Sequence, residues 1–405
     1  MRILLVNKFH YIKGGSETYY FSLKELLEKH GHEVIEFSMK DNQNIPSKYS
    51  EYFVESIDYN KKQSLYNKIK LAGKLIFSFE AQNKLENLIK DYNPDIAHLN
   101  IFQHQLSPSI LSTLKKYNIP IVYTAHDLKM ICPNYKMLVF GEICEQCRKQ
   151  KYYNCLKNKC VKNSYMKTIV NVIEAYTHKI LNSYALIDKI ITPSDFYRKK
   201  FIEFGVKQER IKYIPNFIDA DKYVPNYEFD DYCLYFGRLS EEKGIITLVK
   251  SMKNVDFKLK IVGTGPMDAY IKKLIKSEGI NDKIEILGFK QGEELIKLVS
   301  KAMCVVVPSE WYENAPYTIL EAMALGKLVI GSRIGGITEL LEDGLIGLNF
   351  IPGSIEDLSN KINYIIENKH LVKRYGENAR KKIKIKFNEK LHYEQIMDVY
   401  KQLLS

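Results

Sequence analysis

Along the 405 residues, short runs of Val, Ile and Leu alternate with longer segments whose apolar positions recur every three or four residues. A strand in a parallel sheet is covered by helices on both faces and so shows a continuous apolar run, whereas the covering helices show one apolar stripe. The spacing predicts strands at 3–7, 34–37, 96–99, 121–124, 190–193 and 211–214, then a second series at 232–236, 259–262, 284–287, 304–307, 328–330 and 346–350. The alternation restarts near Tyr232, and the polar stretch PNFIDADKYVPNYEFDD at 215–231 carries two prolines, as a linker would. The expected fold class is α/β, with two doubly wound, Rossmann-like domains at 1–215 and 216–385 facing each other across a cleft, and a helix at 386–405. In such sheets ligands bind beyond the carboxyl ends of the strands, so candidate chemistry is sought there.

The length agrees with two cores, and the 45% of apolar residues can fill both. Lys and Arg outnumber Asp and Glu by 60 to 48, a net charge of +12 that favours phosphates, nucleic acid or an acidic lipid leaflet as partners. The surplus concentrates in two runs without acids, five lysines between Lys61 and Lys74 and seven basic residues between Gln146 and Lys167. The chain opens on a strand with no apolar signal core, and no window has the length of a spanning helix, so a soluble cytoplasmic protein is expected. Seven cysteines argue against a disulfide framework.

The strand-loop-helix segment VVVPSEWYENAPYTILE at 305–321 has the richest chemistry. Pro316 suits the first helical position, a helix start attracts anions, and a carboxylate can accept two hydrogen bonds from a vicinal diol such as a ribose. Glu313 lies in the loop and Glu321 in the helix. Arg238 and Lys243, between Gly237 and Gly244 at another strand end, suit a diphosphate clamp, against the alternative of a solvated helix start. Gly263 and Gly265, Gly288 before Phe289, and Gly335-Gly336 end further strands, and the Gly14-Gly15-Ser16-Glu17 turn follows the first. Each glycine turn alone is weak evidence, because a tight strand-to-helix turn needs the same residue. His126-Asp127 closes the fourth strand, where the imidazole could hydrogen-bond a sugar hydroxyl or act as a general base.

The ordered set GGSE, AHD, GRLSEEKG, VGTGP, Glu313-x7-Glu321 and IGGITE resembles the retaining glycosyltransferases of family 4, with their two-domain GT-B fold. The resemblance implies that Arg238 and Lys243 hold a donor diphosphate, Glu321 binds ribose hydroxyls, Glu313 contacts the donor sugar, His126 touches the sugar or reacting centre, and Gly15 borders the phosphate or acceptor. Gly263, Gly265, Phe289, Asn314 and Ala315 complete the expected nucleotide-sugar site. The implied reaction is hexosyl transfer with retention, from a UDP- or GDP-linked sugar to a saccharide or polyprenyl-linked acceptor in capsule, lipopolysaccharide or other surface-glycan synthesis, with no catalytic metal. In this family the last helix often crosses back to the first domain. Asn314-Ala315-Pro316 replaces the glycine-rich run of many members, which bears on the donor sugar, and Phe217 stands where glycine is common.

Two segments fall outside that set. Cys144, Cys147, Cys155 and Cys160 sit in an insertion-like stretch at 132–163, and their spacing fits a structural zinc site or free, redox-active thiols, with nearby Lys and Arg expected to favour thiolates. The stretch from Lys61 to Phe79 combines lysines with Leu65, Ile69, Leu75, Ile76 and Phe77, which suits either an ordinary surface helix or peripheral contact with an anionic membrane, such as the inner face of a cell membrane. The competing functional class is a zinc-containing, basic nucleic-acid-binding protein, which leaves the strand-end motifs without a task; within the same fold a sugar-nucleotide epimerase is the alternative.

Overall fold

The computed structural model describes residues 1–56 and 65–405, and within the helix that begins at Leu65 the side chains from residue 71 onward. The chain divides into two compact units: unit 1 is residues 1–139, 144–214 and 392–405, and unit 2 is residues 140–143 and 215–391.

Unit 1 is built on a six-stranded sheet, β1 (Arg2–Val6), β2 (Glu33–Phe37), β3 (Ile96–Leu99), β4 (Ile121–Thr124), β5 (Lys189–Thr192) and β6 (Ile211–Tyr213), in the order β2-β1-β3-β4-β5-β6. All neighbouring strands are parallel, with Ile3 opposite Val34 on one side and Ile96 on the other. Ile3, Leu4, Leu5 and Val6 are fully buried, as a strand covered on both faces requires. Each such side chain stabilises the fold by about 1.5–3 kcal/mol. Helix α1 (Gly15–Lys29) follows β1 and buries Tyr19, Tyr20, Leu23, Leu26 and Leu27. Helices α2 (Leu65–Ile76) and α3 (Tyr165–Ile180) belong to the same unit. From His392 onward so does the last helix, α5 (Glu389–Leu404), where Tyr19 Oη and His392 Nε2 are 3.2 Å apart and His98 Nδ1 and Tyr400 Oη 2.6 Å apart.

Unit 2 repeats the plan with β7 (Tyr232–Phe236), β8 (Lys258–Val262), β9 (Ile284–Gly288), β10 (Cys304–Val307), β11 (Leu328–Ser332) and β12 (Gly347–Phe350), in the order β9-β8-β7-β10-β11-β12. Its core gathers Leu248, Val249, Ile261, Val306, Ile330, Phe350 and Ile362. The two six-stranded parallel sheets with flanking helices agree with the α/β class, and all twelve predicted strands are present with ends shifted by no more than two residues.

Two local readings change. The stretch taken as a linker packs within unit 2: Phe217 and Ile218 are buried, Ile218 N donates to Phe387 O at 2.9 Å, and Asn216 Nδ2 donates to Ala315 O at 3.0 Å. Its prolines and acids suggested exposure, but two adjacent apolar side chains find core positions. Pro316 is the residue before helix α4 (Tyr317–Ala324) rather than its first member, since its ψ of 127° is extended. The basic residues at 61–64 lie outside the described residues; the later part of that run forms α2.

Candidate active site

In each sheet the strand order reverses once, between β1 and β3 and between β7 and β10, and a crevice opens where successive connections leave on opposite faces. In unit 2 the two strand ends at this point carry Gly237 to Gly244 and Pro308 to Pro316. Lys243 Nζ donates to Glu313 Oε1 at 2.6 Å. Ser309 Oγ at 2.7 Å and Trp311 Nε1 at 2.8 Å donate to the same oxygen, so three donors fix a carboxylate that is 5% exposed. The Lys243 ammonium also lies 5.3 Å from the Trp311 ring centroid. Gly335, at φ +57°, lets the Glu313 backbone approach: a Cβ there would stand 2.4 Å from Glu313 O. Gly336 N then donates to that carbonyl at 2.8 Å. A larger residue at 335 would therefore displace the loop that carries Glu313.

The other predicted residues of this unit fall into two groups. Arg238 is exposed at the end of β7, and Phe289 is 66% exposed beyond β9. Glu321 is partly exposed on α4, and desolvation pushes its carboxyl up to about 7. Gly263 and Gly265 instead face backbone, because a Cβ on Gly263 would meet Gly237 O at 1.9 Å and one on Gly265 would meet Leu239 O at 2.2 Å. Their glycine character is explained by packing of the β7 and β8 turns on one another. Ala315 is buried, with its carbonyl engaged by Asn216, and Asn314 is partly exposed beside Glu313.

In unit 1 the crevice collects charges away from water. Burial lowers the Lys8 ammonium to about 8, with Lys13 adding to the shift, and burial raises the carboxyls of Glu17 and Asp127. The His126 imidazole is lowered to about 3 by burial and is neutral at physiological pH. Its Nε2 is 2.9 Å from Asn100 Oδ1, while Asn100 Nδ2 faces Val6 O, so Nε2 carries the proton and Nδ1 is the acceptor. Tyr19 packs edge-on against the imidazole, with ring centroids 4.9 Å apart. Gly15 is the first residue of α1, and Ser16 Oγ donates to Glu17 Oε1 at 3.0 Å.

Among the comparisons with known proteins, residues 13–222 match the family described as Glycosyltransferase Family 4, and residues 219–382 match Glycosyl transferases group 1. The chain belongs to glycosyltransferase family 4. This glycosyltransferase is 26% identical over 355 residues to an uncharacterized 42.6 kDa protein of the cps region of Klebsiella pneumoniae, covering 84% of this chain and 87% of that one. It is 28% identical over 232 residues to the lipopolysaccharide 1,2-N-acetylglucosaminetransferase of Salmonella typhimurium, 51% of this chain and 60% of that one. Among solved structures it resembles sucrose-phosphate synthase of Thermosynechococcus elongatus, with a TM-score of 0.75 and 21% identity over 99% of this chain and 98% of the other. It also resembles Anabaena HepE in complex with UDP, with a TM-score of 0.66 and 20% identity over 99% and 100%. These likenesses agree with the GT-B fold, and neither the nucleic-acid-binding nor the epimerase alternative is favoured. Among the described residues no helix is long and apolar enough to cross a membrane.

Sequence reading missed Ser309 and Trp311, which orient Glu313, Asn100, which bonds His126, and Lys8, whose charge interacts with Asp127. Ser309 and Trp311 lay inside the segment already singled out, and their proximity to Glu313 was the available signal. Lys8 and Asn100 each follow a strand by one or two residues, but a polar residue after a strand is too common to stand out. The five cysteines from Cys132 to Cys160 sit in unit 1 as free thiols, with Cys132, Cys147 and Cys155 buried. Burial raises Cys132 to about 11 and Cys147 to about 12. Cys155 and Cys160 share a hydrogen bond that raises the first and lowers the second. Among the described residues no three His, Cys, Asp or Glu side chains are arranged to hold a metal ion.

Proposed function

We propose that this glycosyltransferase moves a hexosyl group from a UDP-linked sugar to a saccharide or polyprenyl-linked acceptor in surface-polysaccharide assembly, with retention at the anomeric carbon. The observation that carries the reading is the Lys243–Glu313 pair, with Ser309 and Trp311 also held on that carboxylate, at the strand-order reversal of unit 2, where Arg238 is exposed at the end of β7. UDP in the HepE structure supports UDP over GDP, and the capsule-region and lipopolysaccharide relatives support a surface glycan.

As the glycosidic bond breaks, negative charge grows on the departing diphosphate, and fixed cations in a partly dehydrated crevice stabilise it without reorganising. Arg238 supplies a planar fork and Lys243 a point charge. Glu313 positions Lys243 through Oε1 and offers Oε2 to hydroxyls of the donor sugar. Glu321, poised near neutrality, accepts from the ribose diol, and a bound diol stabilises its charged form. In unit 1 the neutral His126 accepts a hydroxyl proton or hydrogen bond through Nδ1.

The chain has a single tryptophan, Trp311, so its emission reports on this site alone. Titration with UDP should change that emission at lower concentration than GDP or ADP, and Glu321→Ala should weaken the response. No response to any of the three by folded protein would overturn the donor assignment. Retention is read from the anomeric proton coupling of the first-formed product, and an inverted product would reject that part of the reading.

A further inference from the structure

Helix α3 has its polarity reversed. Met166, Ile169, Ile173 and Ile180 follow one another at helical steps of three, four and seven, and so form one stripe, yet they are 68%, 37%, 49% and 81% exposed. The opposite face is buried and largely polar: Thr168, Glu174 and His178 are each no more than 2% exposed, with Val172 beside them the one buried apolar side chain of the helix. That inner face is held by specific bonds. Lys129 Nζ donates to Glu174 Oε2 and to Asn171 Oδ1, each at 2.8 Å, and His178 Nε2 is 2.8 Å from Ile76 O on α2. Despite burial, the Lys129 ammonium holds the Glu174 carboxyl below its ordinary range. Turning the helix to bury the isoleucines would strand a buried ion pair, which typically costs several kcal/mol. The apolar stripe is therefore fixed facing outward.

Along the sequence that leads into the stripe the charge has one sign. Lys157, Lys162, Lys167 and Lys179 are exposed, and no acidic residue occurs from Gln146 to Lys167. The Lys159 ammonium lies 4.4 Å from the Tyr165 ring centroid and that of Lys179 lies 5.8 Å from the Tyr176 ring centroid, so cations and amphipathic rings alternate along the rim. We propose that the outer face of α3 docks in the plane of an anionic lipid leaflet, with Met166, Ile169, Ile173 and Ile180 entering the acyl boundary and the flanking lysines meeting the headgroups. Lysine stems can lie along the apolar surface while their ends remain among phosphates. The stripe runs about 20 Å, suited to lying on a leaflet and too short to cross it. A second copy of this chain is the less suitable occupant, because a two-fold contact through α3 would set the same lysines against one another.

The inference rests on the exposure and charge of unit 1 and is independent of the donor assignment. It bears on the acceptor, because Lys129, which holds the inner face of α3, also lies two residues from Asp127 and three from His126. A leaflet that immobilises α3 steadies the loop that carries those two groups, as a lipid-linked acceptor would require.

Co-sedimentation of the full chain with vesicles of phosphatidylcholine, with and without phosphatidylglycerol, tests this at low and high salt. Binding is expected only with phosphatidylglycerol, and it should weaken as salt rises. The Ile173→Glu/Ile180→Glu variant should lose binding by about tenfold or more, with melting temperature and Trp311 response to UDP unchanged. If that variant fails to fold, Lys157→Glu/Lys162→Glu/Lys167→Glu replaces it with the same expectation. Wild-type protein remaining in the supernatant, or variants that sediment as wild type does, would overturn the proposal. So would a solution dimer dissociated by Ile173→Glu/Ile180→Glu without change in vesicle binding, which would assign the face to a second copy.

Discussion

The two crevices share a topology and differ in how they hold charge. In unit 2, Lys243 and Glu313 are paired at 2.6 Å with further donors on the carboxylate. In unit 1, burial moves Lys8, Glu17, Asp127 and His126 each towards its neutral form. A diphosphate is charged at every working pH and is met by permanent cations held in place. A hydroxyl acceptor carries no charge until it loses a proton, and groups near neutrality can hydrogen-bond it without a large desolvation penalty.

The largest test of this contrast is Lys243→Ala. Transfer should fall by about 10²–10³-fold, the usual consequence of removing one fixed donor to developing negative charge. Because the substitution also leaves Glu313 buried without its cation, stability should fall, by roughly 3–5 kcal/mol at most. Lys243→Ala combined with Glu313→Gln separates the two effects, since stability should recover while transfer stays low. If activity recovered as well, Lys243 would only be neutralising Glu313, and the contrast between the units would fail.

Glu321→Gln should act next, through pH. Glu321 is the one acidic group of the unit 2 site pushed up to about 7 by desolvation, against an ordinary value of 4.5. The folded chain therefore binds that proton more tightly than the unfolded chain, so the stability present below about 4.5 is lost as pH rises through about 7. Glu321→Gln should raise stability at pH 8 by on the order of 2–3 kcal/mol and change little near pH 4. UDP affinity should fall about tenfold in the same variant. Paired melting curves and Trp311 titrations at the two pH values check both, and equal effects at pH 4 and pH 8 would refute the proton linkage.

How far the sequence could foresee this site depends on the kind of contact. Both sheets were legible because a doubly covered strand has to be a continuous apolar run, and Ile3 to Val6 or Val305 to Val307 have no other reading. That Lys243 and Glu313 would share one end of the sheet was legible because both follow strands, and strand ends are where such folds bind ligands. The partners of Glu313 were not, since a serine and a tryptophan inside a loop gain their role from side-chain direction alone. Gly263 and Gly265 have a second explanation that the sequence does not show: a Cβ at either position strikes neighbouring backbone, so packing by itself calls for glycine there. The reversed polarity of α3 was also hidden. Periodicity finds a stripe but cannot say which face turns inward, and here Lys129, thirty-six residues before Tyr165, decides it.

His126→Asn should lower transfer by about tenfold, a smaller effect than Lys243→Ala, if the imidazole contributes one hydrogen bond or modest base catalysis. The sharper expectation concerns pH. An imidazole held near 3 is neutral throughout the range from 5 to 8, so the variant should leave the shape of the activity profile there unchanged. Any limb near pH 7 should disappear in Glu321→Gln instead. A limb between 5 and 7 that vanished only in His126→Asn would mean that the imidazole titrates, and unit 1 would not be a site of neutral groups.

The smallest effect on stability and the most local reading belong to Phe289. Its ring is two-thirds exposed after Gly288, whose φ of +70° ends β9, so Phe289→Ala removes little buried area and should change stability by less than about 0.5 kcal/mol. An exposed ring there calls for another explanation. Strands β9, β8 and β7 are adjacent, and two strand spacings carry the β9 end about 10 Å from the β7 end that bears Arg238. That separation suits a nucleotide with its diphosphate at Arg238 and its base against Phe289. On this basis Phe289→Ala should weaken UDP binding about three- to tenfold, and isolated diphosphate, which has no base, should bind wild type and variant alike. A loss shared by diphosphate would place Phe289 in the frame of the β9 turn, whereas a loss confined to UDP would extend the fixed-charge crevice of unit 2 by an apolar shelf that unit 1 has no need of.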